Sequence, residues 1–265
     1  MGLTVSGRIN LAGRMRLGVE LEWTPADTFT EGWWDASNAD SINPSTGGAI
    51  IEWNDLSGNN RNFGPRSGTS STPVFVPANN EVTFSNVSSL DGTFTNTEVL
   101  NGDVVMVGVL SATTFYPAKN WHGQLQLTNI SQAGVCFGKS NSGGVAYYNS
   151  VGAGSALWPN NDPATRMPSY QRTGTDLEYY LEGELASSNT GVTSLANSGS
   201  QTMYMGNGSY GFYGATAGGS YNEFVVLAGA NATAANRQKT EGYLAWKWGL
   251  EADLPVGHPY KNAPP

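Results

Sequence analysis

Only one cysteine, Cys136, and two histidines, His122 and His258, occur in 265 residues. A single cysteine excludes an intrachain disulfide framework and any cysteine-based zinc cage. In the apolar stretch GVCFG it reads as a buried packing thiol. Charge is also scarce, at 13% of residues, and the net charge of −8 argues against non-specific binding to nucleic acid or to an anionic membrane. No run approaches the ~18 consecutive apolar residues of a membrane-spanning helix. The opening residues lack the continuous apolar core of an export signal, so the protein is expected to stay where it is made or to leave by lysis. Sequons at Asn86, Asn129, Asn207 and Asn231 then read as chance in an Asn/Ser-rich chain.

What the sequence has is glycine, 34 residues, and aromatic side chains, 11%. Between these lie short alternating runs, TPVFVP, EVTFSN, GVAYYNS and TMYMGN, the pattern of strands joined by turns. DVVMVGVL (103–110) is a nearly continuous apolar run of strand length and predicts a strand buried on both faces or at its centre, and NEFVVLAG predicts another buried strand. LEYYLEGELAS predicts a hairpin turning at Glu182-Gly183. Only TAANRQKTEGYLAWKWG reads as helical. Its span is 233–248, with Thr233 as N-cap and Gly249 as the C-terminal stop. Tyr243, Leu244 and Trp248 share its inner face, Arg237 and Lys239 lie outside, and mid-helix Gly242 predicts close contact with a strand. The prolines of the tail LPVGHPYKNAPP exclude helix and central strand, so it runs over the surface, pinned by Tyr260. No linker or repeat divides the chain. The expected fold is all-β, a two-sheet antiparallel sandwich with one C-terminal helix.

The first 24 residues stand apart as an extended β arm. Leu3, Val5, Ile9, Leu11, Met15, Leu17 and Val19 occupy odd positions, and Arg8, Arg14 and Arg16 even ones. Period two marks a half-buried strand, but the alternation outruns the ~5–6 residues typical of one. An apolar edge of that length left in water invites aggregation. The arm is therefore expected to serve assembly through Leu3, Val5, Arg8, Ile9, Leu11, Arg14, Met15 and Arg16. Its partners would be copies of the chain, a trimer first among the homo-oligomers.

WWDASNADSI and IIEWNDLSGNNRNF, with Trp33 or Trp34, Asp35, Ala36, Trp53, Asp55, Ser57, Gly58 and Asn59, resemble the opening of laminin-G-like, concanavalin A-like jelly-roll domains of bacterial surface and bacteriophage structural proteins. YNEFVVL with Glu223 resembles their final core strand. RQKTEGYLAWKWGL followed by LPVGHPYK carries the most specific match, through Arg237, Gln238, Glu241, Gly242, Tyr243, Leu244, Ala245, Lys247, Trp248, Gly249, His258, Pro259 and Tyr260. The resemblance covers roughly residues 30–262 and implies a jelly-roll domain over 25–265. Function is not implied, since such folds host lectins, enzymes and inert scaffolds.

Glycoside hydrolysis needs two carboxylates flanking the scissile bond. The Glu-x-Asp-x-x-Glu string of glucanases with this fold is absent, and the ELE at 20–22 lies in the arm. Two histidines, one beside Pro259 and one in a loop-like stretch after Trp121, give poor support to Ser-His-Asp chemistry. No catalytic residue is expected. Related domains often bind calcium at one rim. Asp91, Asp103 and Asp162 sit in turn-like contexts where they either contribute to such a site or simply cap turns. Sugar rings stack on exposed aromatics. The candidates are Trp121, Trp158, Tyr210, Phe212 and Tyr213, the last three in the Tyr/Ser/Gly-rich stretch 207–221.

Three readings follow. The first is a non-enzymatic bacteriophage virion protein, a head decoration, fibre or tail component. It would be built in host cytoplasm, joined to other virion proteins by its arm, and in reach of host-surface polysaccharide. The second is a secreted or cell-surface lectin-like module. The third is a glycoside hydrolase. Nucleic acid and membrane are not among the expected partners.

Overall fold

The computed structural model describes residues 23–28, 30–85, 88–94, 99, 102–115, 121–128, 134–140, 143–148, 151–155, 164–191, 201–206 and 217–265. The strands of the first half are β1 (Gly32–Asp35), β2 (Ile42–Pro44), β3 (Ile50–Trp53), β4 (Gly64–Pro65), β5 (Val74–Val76), β6 (Glu81–Phe84), β7 (Ser89–Phe94), β8 (Val104–Phe115) and β9 (Trp121–Thr128). Those of the second half are β10 (Gly134–Ser140), β11 (Gly143–Tyr148), β12 (Val151–Ser155), β13 (Thr165–Arg166), β14 (Pro168–Thr173), β15 (Asp176–Leu181), β16 (Glu184–Asn189), β17 (Gln201–Gly206) and β18 (Ala217–Ala228). The helix α1 (Ala234–Trp248) follows.

Two antiparallel sheets face each other. One runs β16-β15-β14-β8-β18-β6-β5, with β1 also on β18 and β13 on β8. The other runs β12-β11-β10-β9-β17-β7-β4, and β2 and β3 form a separate ribbon. Strands β8 and β18, twelve residues each, pair along their length. The far edge of β18 is divided, with Gly219–Tyr221 taking β6 and Glu223–Val226 taking β1. The expected antiparallel sandwich with a C-terminal helix is the fold observed.

The sheet built on β8 and β18 is buried on both faces, as the apolar runs predict. Val104, Met106, Leu110, Phe224 and Val226 point between the sheets, with Trp34, Trp53, Phe63, Leu90, Met203 and Met205. Val105, Val107, Val109, Val225 and Leu227 point the other way, against Trp33, Tyr243, Leu244 and Trp248. The adjacent tryptophans of β1 thus serve two cores, because successive strand side chains alternate. The order of layers is helix, first sheet, second sheet.

The hairpin turns where expected, with both central residues at positive φ, Glu182 at 48° and Gly183 at 79°, as a type I′ turn requires. The helix starts at Thr233, whose hydroxyl accepts from Asn236 N at 3.1 Å, and stops at left-handed Gly249. Two expectations about it are corrected. Arg237 is buried, since its guanidinium lies 3.5 Å from the centroid of the Tyr180 ring and is consumed by buried partners. Gly242 is pressed by the C-terminal tail, not by a strand. A Cβ there would stand 2.5 Å from Tyr260 Cβ. The Tyr260 carbonyl accepts from Trp246 Nε1 at 2.8 Å, so the tail closes over the helix.

Two stability measurements check this packing. Trp248→Ala should lower the unfolding free energy by about 3–5 kcal/mol in urea titration, as large aromatic truncations in cores do. Gly242→Ala should also destabilise, by about 1–3 kcal/mol of overpacking, although alanine is the better helix former; a stabilised variant would show that the tail yields.

Candidate functional site

Polar groups collect in four places. The first lies between helix and sheet. Lys247 Nζ donates to Asp35 Oδ2 at 2.6 Å and stands 2.7 Å from Glu223 Oε2. The indoles of Trp33 and Trp248 donate to the two oxygens of Glu223, each at 2.8 Å. Burial and Asp35 raise the Glu223 carboxyl and Lys247 lowers it, leaving it pushed up to about 7. Burial opposes the charge on Lys247, but the two carboxylates outweigh it and push its pKa up.

The second cluster lies under the tail. Glu241 accepts from Arg237 Nη1 at 2.7 and 2.8 Å and from Ser169 Oγ at 2.6 Å, and meets His258 Nε2 at 3.3 Å. A serine, a histidine and a glutamate are present, but the hydroxyl points at the carboxylate instead of the imidazole. All three are buried, so this is not a nucleophile–base pair. Beside it Glu182 turns inward, 3.3 Å from Met167 N and 3.6 Å from Arg166. Burial raises its carboxyl, Arg166 opposes and Asp253 adds to the rise, to about 7.

The third is the loop after Trp53. Asp55 Oδ1 accepts from Trp33 N and Ser57 N, and Oδ2 from Ser57 Oγ and Arg61 N. Asn59 donates to the Thr30 and Glu31 carbonyls, and Arg61 pairs with Glu31. The residues that carry the sequence resemblance thus hold β1 and the helix in place, with their polar atoms turned inward.

The fourth place is open to solvent. On β7 and β17 the inward residues are Leu90, Met203 and Met205. The opposite face carries Asp91, directly across from Tyr204, and the next row pairs Thr93 with Thr202. The Arg66 guanidinium, one residue past β4, lies 4.8 Å from the centroid of the Tyr204 ring. Partial burial raises the Asp91 carboxyl and Arg66 opposes that rise. The Cα register continues this row through Gln126, Cys136 and Tyr147. The helix α1 packs on the other sheet and not on this face. A ring, a guanidinium, a carboxylate and hydroxyls on one exposed sheet face can stack on and hydrogen-bond a polyhydroxylated ligand.

A cleft of about 520 Å³ also opens at the start of α1, lined by Asp103, Gln171, Thr173, Asp176, Glu178 and Thr233 among others. No aromatic ring lines it. Gln171 is already engaged at both ends, by Thr173 and Arg237.

The residues expected from sequence fall as follows. Asp91 lies in a strand, not a turn. Asp103 caps the β14–β15 turn, with Oδ1 accepting from Gly174 N at 2.7 Å. The two are not brought together, and among the described residues no three His, Cys, Asp or Glu side chains group to hold a metal. Trp121 and His122 open strand β9 instead of a loop; their side chains, and that of Cys136, lie outside the described residues. So do Asp162, Trp158, Tyr210, Phe212, Tyr213, the ELE at 20–22 and the arm residues Leu3, Val5, Arg8, Ile9, Leu11, Arg14, Met15 and Arg16. Sequence reasoning missed Tyr204 and Arg66. The signal for Tyr204 was there, since TMYMG alternates two buried methionines with an outward tyrosine.

No protein-family model and no curated protein sequence matches the chain. Solved structures do resemble it. Domain 4 of AbnA, a GH43 extracellular arabinanase of Geobacillus stearothermophilus in complex with arabinotriose, superposes with a TM-score of 0.57 at 10% identity, covering 78% of this chain and 96% of that one. The binding domain of Paraclostridial Mosquitocidal Protein 1 gives 0.52 at 12% identity, covering 82% of this chain and 52% of that one. A Trypanosoma rangeli sialidase gives 0.53 at 12% identity over 85% of this chain, which spans only 33% of the sialidase. These likenesses share the β-sandwich fold.

The raised carboxyls of Glu182 and Glu223 predict a pH dependence. Between the ordinary carboxylate range and about pH 7 the folded chain holds protons that the unfolded chain has released, so stability falls as pH rises through this window. The melting temperature should be higher at about pH 5.5 than at about pH 8. Glu182→Gln, which removes the titration beside Arg166 and Asp253, should reduce that difference. Lys247→Met strands Asp35 and Glu223 and should cost about 3–5 kcal/mol in chemical denaturation.

Proposed function

We propose that the chain is a non-catalytic carbohydrate-binding β-sandwich module of the laminin-G-like, concanavalin A-like jelly-roll type. It contacts glycan through the outward face of the β12-to-β4 sheet. The observation that carries this reading is the half-buried Tyr204–Arg66–Asp91 group on a sheet face that α1 does not cover. It is supported by the likeness, over 78% of this chain, to an arabinanase domain solved with arabinotriose. Hydrolysis is not part of the proposal. The buried Ser169–Glu241–His258 group is closed to substrate, and the paired carboxylates of a glycosidase were not found in the sequence.

The test is titration calorimetry against neutral and acidic oligosaccharides. Tyr204→Ala should weaken binding at least about fivefold, since stacking on one ring is worth roughly 1 kcal/mol or more, while its melting temperature stays near that of the parent. Undiminished binding would move the contact elsewhere. Release of reducing sugar from any glycan of the panel, lost on substituting one Asp or Glu, would overturn the non-catalytic reading.

A second form of the reading sets the module on a bacteriophage particle, with the arm as its attachment. The observation that favours an attachment there is where the arm begins. Trp23 sits on the helix layer, 5.8 Å from the Tyr243 ring and with Lys239 Nζ 5.0 Å above it. Trp23, the first described residue, therefore lies on the side opposite the Tyr204 face. Deleting residues 2–17 should leave the melting temperature unchanged and abolish self-association or incorporation into a particle. A truncated chain that associates like the full one removes this form and leaves the glycan reading standing.

A further inference from the structure

The exposed face also says which glycans it suits, an inference that rests on the carbohydrate-binding reading. We propose that the Tyr204 face takes neutral oligosaccharides and rejects those carrying carboxylate or sulfate.

Three features of the face carry this. Asp91 stands in the row of Tyr204, directly across the β7–β17 pair. Cross-strand neighbours have Cβ atoms about 5 Å apart, so a sugar stacked on the ring lies within reach of that carboxylate. An ionised carboxylate only accepts hydrogen bonds. Vicinal hydroxyls satisfy it, whereas a uronate or sulfate placed there meets like charge. Arg66 does not reverse this preference. Its guanidinium lies over the Tyr204 ring, and Asp91 sits in its field with the opposite charge, so the pair offers no net positive site. The second row, Thr93 and Thr202, adds uncharged hydroxyls and no cation. A net charge of −8 over the whole chain further disfavours the approach of polyanions.

The chemistry of recognition is then division of labour. The ring supplies the apolar platform, Asp91 accepts from paired hydroxyls, and the threonines complete a surface of donors and acceptors. Arg66 is a positioning residue here, holding the ring and balancing the carboxylate.

The experiment is calorimetry on the full chain with arabinotriose, cellotriose and laminaritriose as neutral probes, and trigalacturonate and 3′-sialyllactose as acidic ones, at low and at physiological salt. Binding of at least one neutral probe, at least about tenfold tighter than either acidic probe, is the expected result. Asp91→Asn should then narrow the difference by admitting acidic probes, with its melting temperature checked to confirm folding. Equal or tighter binding of an acidic probe overturns the selectivity and leaves the glycan reading intact, as does an Asp91→Asn variant as selective as the parent. Binding of no probe overturns both.

Discussion

The helix is held to the sandwich by one buried ammonium. Lys247 places its charge between Asp35 of β1 and Glu223 of β18, and two tryptophan N–H groups complete the coordination of Glu223. Burying charge costs several kcal/mol per ion unless each is paired and hydrogen-bonded. Here every group has its partner, so the arrangement is specific as well as tolerable. It joins the first strand to the last strand and to the helix that soon follows it, far along the sequence.

A consequence is asymmetry between the two outer surfaces. The β18 side is sealed by α1, the tail and Trp23, and its polar networks are turned inward and saturated. The β17 side carries half-exposed polar and aromatic residues on a sheet whose inner face is Leu and Met. Antiparallel sheets allow this, since one face can pack while the other meets solvent. On the first surface the clusters around Lys247 and Glu241 are spent on structure.

The same division explains why the motif residues form no open site. Asp55, Asn59 and Ser57 tie down a loop, and Arg237, Glu241 and His258 tie down a helix and a tail. These are demanding roles, because each group must match fixed partners in a dry interior. A ligand-contact face has looser requirements and leaves less imprint on a single sequence.

From its sequence alone the chain determined its strands, its hairpin at Glu182-Gly183, its helix from Thr233 to Gly249 and hence its layered antiparallel class. Those features follow from local periodicity, caps and turn chemistry, which a chain carries with it. Tertiary structure alone decided that Arg237 is buried beneath Tyr180, that Gly242 makes room for Tyr260, and that Asp91 lies in a strand beside Tyr204. Residues 91 and 204 meet only because β7 and β17 pair, and Arg66 joins them only through β4. Such juxtapositions depend on strand order and register, set by which apolar faces bury together over long separations, and no local pattern encodes them.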